Sequence, residues 1–351
     1  MPHRHDDPRP ASPPSPSSSV HPEETSVPGR LFPSYQSHLK SLHPQEFEAA
    51  RETLEYLDPN GDGHALAALR TCRTNAWFVR NIHTGEVQVH SRHCRNRLCP
   101  FCNASKAAAV SSNVFRWIKT IDRPKLLTVT LKHSSAPLDQ QVTALFALFR
   151  RWRQRRRLKA SIHGGVWFLQ VTLSPDDYSW HPHLHVILDA DFIPQDVLAR
   201  HWLNVTKTSR ILDIREIRSP EKAASYVARY VARPGSIDTW PVDYRAEMYH
   251  CLGSRRSCGC FGSARTFKVL AKPAFTRSDW QTVGSWSAVH ALAGTLAEAQ
   301  QILTAWKLRR PLPPDVSVIT IDHAIDWETG DQEPNPPPQV TKTFDFSRDT
   351  A

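Results

Sequence analysis

The apolar positions along the chain change period several times, and each change marks an element. Between Leu31 and Leu57, Phe47, Leu54 and Leu57 give a helix one apolar face, and Asp58-Pro59-Asn60-Gly61 ends it. Lys125 to Leu131 (KLLTVTL) is apolar, β-branched and bounded by Pro124, which predicts a strand. Leu138 to Lys159 returns to helical spacing, with Val142, Leu145, Phe146, Phe149 and Trp152 on one face. Two strands follow, Val166 to Leu173 (VWFLQVTL) and His183 to Leu188 (HLHVIL), and the loop SPDDYSW between them predicts a hairpin. Arg210 to Ile217 (RILDIREI) reads as a further strand.

Ser219 to Arg233 (SPEKAASYVARYVAR) predicts a well-punctuated helix. Ser219 is placed to cap, Pro220 occupies the first helical position, Glu221 favours the positive end of the dipole, and Pro234-Gly235 stops the run. Ser285 to Lys307 carries Trp286, Val289, Leu292, Leu296 and Ala299 at helical spacings, with Ser285 placed to cap a C-terminal helical appendage. Strands and helices together predict an α+β chain, without fixing the strand order.

Composition adds the ends and the charge. The chain has 351 residues, 40% of them apolar, enough to bury a core. The first 30 residues and the DQEPNPPPQ stretch are too rich in Pro, Ser and polar residues to pack. The expected organisation is a Pro/Ser-rich tail over 1–30, a helical lead-in with a cysteine-rich module over 31–120, a main domain over 121–275, the helical appendage over 276–310 and an acidic Pro-rich tail over 311–351. That last stretch holds eight acids against Lys342 and Arg348, so of the net charge of +10 the remainder of the chain carries +16. A body this basic predicts a polyanionic partner, most simply nucleic acid. No apolar run approaches a membrane span and the N-terminus lacks the apolar core of a signal peptide, so no membrane partner and a cytoplasmic location are expected.

Seven cysteines without a secretory signal predict thiols or metal ligands rather than disulfides. Cys72, Cys94, Cys99 and Cys102 fall close together, the last three in HCRNRLCPFCNASK, where the Cys-Pro-Phe-Cys gap lets two sulfurs face one ion. A closed, structural Zn²⁺ site is expected there, with His90 and His93 as substitutes for one ligand. Cys251, Cys258 and Cys260, beside His250, form no such pattern.

Two further groups carry chemistry. In HPHLHVIL, His183 and His185 share one face of their strand while Leu184 takes the other, so both imidazoles suit a single cation. His181 has the same parity but precedes Pro182, and Gln170 on the partner strand offers a carbonyl oxygen as a further metal ligand. On the helix, Tyr226 and Tyr230 are four residues apart and share a face, flanked by Arg229 and Arg233. The seven bases from Arg150 to Lys159, Arg151 and Arg155 among them, have no acid in their midst and predict a phosphate-contacting surface.

Taken in order, LLTVTL, HPHLHVIL and YVARYVAR resemble the three motifs of the HUH endonucleases, specifically the rolling-circle replication initiators of small plasmids and phages. CRNRLCPFC is similar to the segment that precedes the nuclease domain in many plasmid initiators. The resemblance covers about Cys72 to Gly262. It implies the HUH endonuclease fold over 121–275, a central antiparallel sheet flanked by helices and preceded by a small cysteine-rich zinc module. It also implies that His183 and His185 hold Mg²⁺ or Mn²⁺, and that Tyr230 is the nicking tyrosine. Tyr226 stands where many plasmid initiators have glutamate, which places the chain with the two-tyrosine pattern. Gln170 departs from a glutamate often found at its position.

The implied activity is that of a site-specific endonuclease and strand transferase. Tyr230 attacks single-stranded or supercoiled origin DNA, leaving a 5′-phosphotyrosine and a 3′-OH that host polymerase and helicase use, and Tyr226 cleaves the regenerated junction. Two-tyrosine insertion-sequence transposases share these motifs, and a non-catalytic zinc-containing DNA-binding regulator is the reading from a different class.

Overall fold

The computed structural model describes residues 33–61, 63–232, 235–253, 255–270 and 276–319. The tail expected over 1–30, the acidic tail beyond residue 319 and Arg233 lie outside the described residues.

The chain opens with α1 (Tyr35–Leu42), α2 (Pro44–Leu57) and α3 (His64–Arg70), followed by a hairpin of β1 (Trp77–Asn81) and β2 (Val87–His90) and by the long α4 (Pro100–Ile118). Next come β3 (Lys125–Thr130), α5 (Leu138–Arg153), α6 (Arg156–Ser161), β4 (Ile162–Leu173), β5 (Trp180–Ala190), α7 (Gln195–Thr206) and β6 (Leu212–Glu216). The tyrosine helix α8 (Pro220–Ala232) leads to α9 (Val242–Gly253), β7 (Cys258–Gly262) and the short α10 (Ser263–Thr266). The chain then returns through β8 (Trp280–Ser285), α11 (Trp286–Leu292) and α12 (Ala297–Leu308).

A central five-stranded sheet has the order β6-β3-β5-β4-β7, and every neighbouring pair is antiparallel. Alternation divides its side chains between two layers. Leu127, Val129, Leu169, Val171, Leu184 and Val186 pack on one face with Val142, Leu145, Phe149 and Trp152 of α5 and Trp202 of α7. Val166, Phe168 and Ile187 pack on the other with Val110 and Val114 of α4 and Ala224, Val227 and Val231 of α8. This is the mixed fold with a helix-flanked central antiparallel sheet that the pattern and the resemblance implied.

Four boundaries differ from the sequence expectation, each for a physical reason. The lead-in expected as one helix over 31–57 is broken at His43-Pro44, where Pro44 cannot continue α1 and instead starts α2. The helix expected over 138–159 breaks at Gln154-Arg155: Arg150, Arg153 and Arg157 would stack their charges at helical spacing, and the turn lets Leu158 be buried. β5 begins at Trp180 and contains Pro182, because pairing with β3 ends at Thr130↔His183 and Pro182 faces only β4, opposite Val171. The C-terminal appendage contributes a strand as well as helices. β8 pairs antiparallel with β1 to complete a second sheet of order β2-β1-β8, and its helix is divided around Gly294. Phe78, Val87, Val283, Trp286, Val289 and Ile302 form the core of this lobe, so residues 77–90 and 280–319 share one core although the whole five-stranded sheet lies between them in sequence.

Candidate active site

Parity in the sheet brings the polar groups of three strands to the α8 face. Thr128 lies opposite His185 across β3 and β5, and Gln170 lies opposite His183 across β4 and β5. His185 is buried, with Nδ1 3.1 Å from Thr128 Oγ1 and Nε2 2.7 Å from Gln170 Oε1. Burial, with a smaller contribution from the neighbouring His183 charge, lowers the His185 pKa to about 4. The ring is therefore neutral near pH 7, the state a metal ligand requires. His183 is shifted the same way, by burial first and then by His181. Its Nδ1 is buried without a hydrogen-bond partner. His185 Nε2 and Gln170 Oε1 meet at hydrogen-bond distance, so both donor atoms converge on one point of this face. Together with the unpartnered His183 Nδ1 on the same sheet face, these nitrogen and oxygen donors are of the kind that could hold a small divalent cation.

α8 lays both tyrosines over His185. Its N-terminus is fixed as the punctuation predicted: the Lys222 N–H donates to Ser219 Oγ at 3.3 Å. The Tyr230 ring stacks flat on His185, with centroids 4.3 Å apart and an interplanar angle of 3°. Tyr226 meets the same imidazole edge-on at 5.7 Å and Tyr230 at 5.3 Å. Tyr230 is only 9% exposed, and its phenol pKa is pushed up, by burial first and then by its hydrogen bond to Tyr226. The Arg229 guanidinium lies 4.9 Å over the Tyr226 ring.

His181 belongs to a different network. Its Nε2 is 3.0 Å from His133 Nδ1, whose other nitrogen lies 3.1 Å from Asp177 Oδ2. Sequence parity put His181 with His183 and His185, and its backbone in β5 does pair with Thr172 of β4, but its ring meets His133. Thr128 is the residue that sequence reasoning missed. Its signal was present, since it is a polar position between buried Leu127 and Val129 and so shares the parity of the opposite face.

The four cysteines expected together are together. Cys72 Sγ lies 3.6 Å from both Cys99 Sγ and Cys102 Sγ, Cys94 Sγ lies 3.7 Å from Cys102 Sγ, and all four ligand atoms fall within 4.8 Å of one another. A tetrahedron with bonds of about 2.3 Å has edges of about 3.8 Å, whereas a disulfide holds its sulfurs at about 2.05 Å. The spacing is that of a metal site. Hydrogen bonds from Cys72, Cys94 and Cys99 favour the Cys102 thiolate. The Asn96 N–H approaches Cys94 Sγ at 3.4 Å, and His93 is engaged by Arg73 Nη1 at 3.2 Å. Among the described residues no second cluster of this kind occurs. Cys251 packs on the α5 face and Cys258 on the α8 face, so that trio is divided between the two cores.

A family model for replication proteins (Rep_1) matches residues 86–307. The chain belongs to the Rep_1 family of replication proteins. The match bears out the resemblance to replication initiators drawn from the motifs, and it spans the histidine strand, the tyrosine helix and all of the cysteine cluster except Cys72. A relative named Protein rep from Streptococcus pneumoniae is 24% identical over 231 residues, 59% of this chain and 71% of the relative. Another Protein rep, from Bacillus amyloliquefaciens, is 25% identical over 176 residues, 46% of this chain and 52% of the relative. A third, from Staphylococcus aureus, is 26% identical over 178 residues, 45% of this chain and 78% of the relative. The chain thus spans about half the length of the Bacillus relatives it matches. No solved structure matches.

Two further surfaces of this Rep_1 protein carry charge. A cleft of about 890 Å³ opens beside Gln170, Arg229 and Tyr230 and runs to Tyr178 and Trp240. The basic run lies at the end of α5 and in α6, with Arg151 and Arg155 exposed. Arg153, which the run did not single out, is layered over Phe261 at 3.9 Å and Phe149 at 5.1 Å. Burial first, then Arg150 and Arg265, lowers its pKa, and among the described residues no carboxylate pairs with any of the three.

Proposed function

We propose that this replication protein initiates rolling-circle replication of a plasmid in the cytoplasm by nicking and rejoining one strand of origin DNA. The observation that carries the reading is the convergence of both phenols on the single imidazole of His185, itself joined to Gln170 and Thr128. The family match supports replication rather than transposition.

His183, His185 and Gln170 Oε1 would hold Mg²⁺ or Mn²⁺, which when bound supplies a Lewis acid for the scissile phosphate. Tyr230 is protonated near neutral pH, since burial raises its pKa, so its attack and the loss of its proton are linked. The Tyr230 oxygen bonds to phosphorus, the bond from phosphorus to the 3′ oxygen breaks, and that oxygen gains a proton. A 5′-phosphotyrosine and a 3′-OH result, the latter available to host helicase and polymerase. Tyr226, one helical turn away, performs the same cleavage on the regenerated junction, and the released 3′-OH attacks the first ester to close the strand. Arg229, Arg233, Arg151 and Arg155 hold phosphates by charge. Zn²⁺ bound by Cys72, Cys94, Cys99 and Cys102 is structural.

Incubation with single-stranded origin DNA and Mn²⁺ is expected to give a covalent adduct that survives denaturing electrophoresis. Tyr230→Phe is expected to lose the first-cleavage adduct, at least about 100-fold in yield on a scale where one removed nucleophile abolishes the step. Wild-type protein that binds the strand but forms no adduct would refute the nuclease; an adduct persisting in Tyr230→Phe would transfer the first attack to Tyr226.

A further inference from the structure

The cleft that starts at Tyr230 ends on an aromatic ring that the turn beneath it does not need. Tyr178 lies in the loop between β4 and β5 with φ +53°, a left-handed conformation that a bulky side chain rarely adopts and that Gly, Asn or Asp would enter more easily. The turn is closed without its phenol. The Ser174 N–H donates to Ser179 O at 2.9 Å, the Tyr178 N–H donates to Ser174 O at 3.1 Å, and Asp177 Oδ1 accepts from Ser179 Oγ at 2.7 Å. Tyr178 is nonetheless 48% exposed and lines the cleft.

Its other side is braced. Tyr178 stacks on Tyr244 at 5.4 Å and 28°, Tyr244 meets Trp180 at 5.6 Å, and Trp180 packs edge-on to Trp240 at 5.4 Å. Trp180 Nε1 donates to Glu247 Oε2 at 2.9 Å, which fixes the block from behind. Trp240 in turn closes over Gly235, where a Cβ would come within 2.1 Å of its ring. An outward-facing ring on a fixed aromatic base loses little freedom when a planar ligand settles on it.

The charges along the cleft are graded. Arg229 lies beside Tyr230, whereas Asp177 flanks Tyr178. Asp177 is held well below the usual carboxylate range, chiefly by hydrogen bonds from Ser179 and Ser174. A phosphate is favoured beside Arg229 and disfavoured beside Asp177, while an uncharged heterocycle suits the Tyr178 end. Hydroxyls of Thr172, Ser174 and Thr239 line the path between.

We propose that Tyr178 is a stacking platform for an unpaired nucleobase of the strand whose phosphate lies at Tyr230. The proposal rests on the single-strand nicking reading above and adds a base-binding subsite to it. Stacking on an aromatic face is tolerant of sequence, so this subsite selects for unpaired strand rather than for a particular base.

The test uses fluorescence anisotropy with a labelled ten-nucleotide oligothymidylate and a ten-unit abasic strand of the same backbone, for wild type, Tyr178→Ala and Tyr178→Trp. Tyr178→Ala is expected to bind oligothymidylate about tenfold more weakly and the abasic strand as wild type does, with Tyr178→Trp restoring the loss. Equal weakening on both strands, or none on oligothymidylate, overturns the subsite. The two readings fail separately: adduct formation without this base dependence sinks only the subsite, and base dependence without any adduct sinks only the nuclease.

Discussion

Thr128 braces the His185 ring from the side away from Gln170. In the proposed metal-bound state Nδ1 would carry the proton, and Thr128 Oγ1, 3.1 Å away, would accept its hydrogen bond and steady the ring angle. Thr128→Val keeps the shape and removes the acceptor. Mn²⁺ affinity is expected to fall about 10- to 100-fold with little change in melting temperature, measured by electron paramagnetic resonance of free Mn²⁺. Unchanged affinity would mean that Thr128 only fills space. At this scale much was legible: strand parity put His183, His185 and Gln170 on one face, and helical spacing joined Tyr226 to Tyr230. Thr128 was not, because a threonine in LLTVTL is also what plain β-propensity selects. Tyr178 was hidden for a different reason, since backbone sign and exposure in a short loop leave no periodic trace.

At the scale of elements, the basic end of α5 behaves as a surface built for an anion. Arg150, Arg153 and Arg265 repel one another, and the Phe149 and Phe261 rings hold Arg153 in place despite that repulsion. Replacing Arg150 and Arg153 together by Gln is expected to weaken binding to duplex origin DNA and to lower the slope of log affinity against log salt by about 2, one for each phosphate no longer neutralised. Adduct formation on a short single strand should persist, because these side chains lie on the other core face from His185. An unchanged salt slope would remove this surface from the interface. The charge run was visible in sequence, but not the helix break at Gln154-Arg155, which arises from repulsion among the same residues that made the run conspicuous. β8 escaped notice because its pairing partner lies about 200 residues earlier, far beyond any local window.

For the whole molecule, the cysteine cluster and the tyrosine helix are mechanically joined. Cys99 and Cys102 stand at the start of α4, and the body of that helix packs Val110 and Val114 against the core that holds Ala224, Val227 and Val231 of α8. If the cluster holds Zn²⁺ as proposed, removing it would free the start of α4 and with it the support of Tyr226 and Tyr230. Protein stripped of zinc by a strong chelator is expected to melt well below the loaded form, since structural Zn²⁺ contributes about 10 kcal/mol or more in small modules, and to form no adduct until Zn²⁺ is restored. Full adduct formation without zinc would show that α8 is held by the sheet alone.

The pairing of β1 with β8 also shapes how the chain comes into being. During synthesis at about 5–20 residues per second, β1 emerges roughly 10–40 seconds before the strand that covers its free edge, and Phe78 waits as long for Trp286 and Ile302. Through that interval the β1–β2 hairpin keeps an exposed apolar side and an unpaired edge while the five strands of the central sheet are still being made. The newborn protein is therefore open to chaperone capture or edge-to-edge association until the strand and helices that close this lobe have left the ribosome, and ribosomes stalled within that stretch should accumulate chaperone-bound chains.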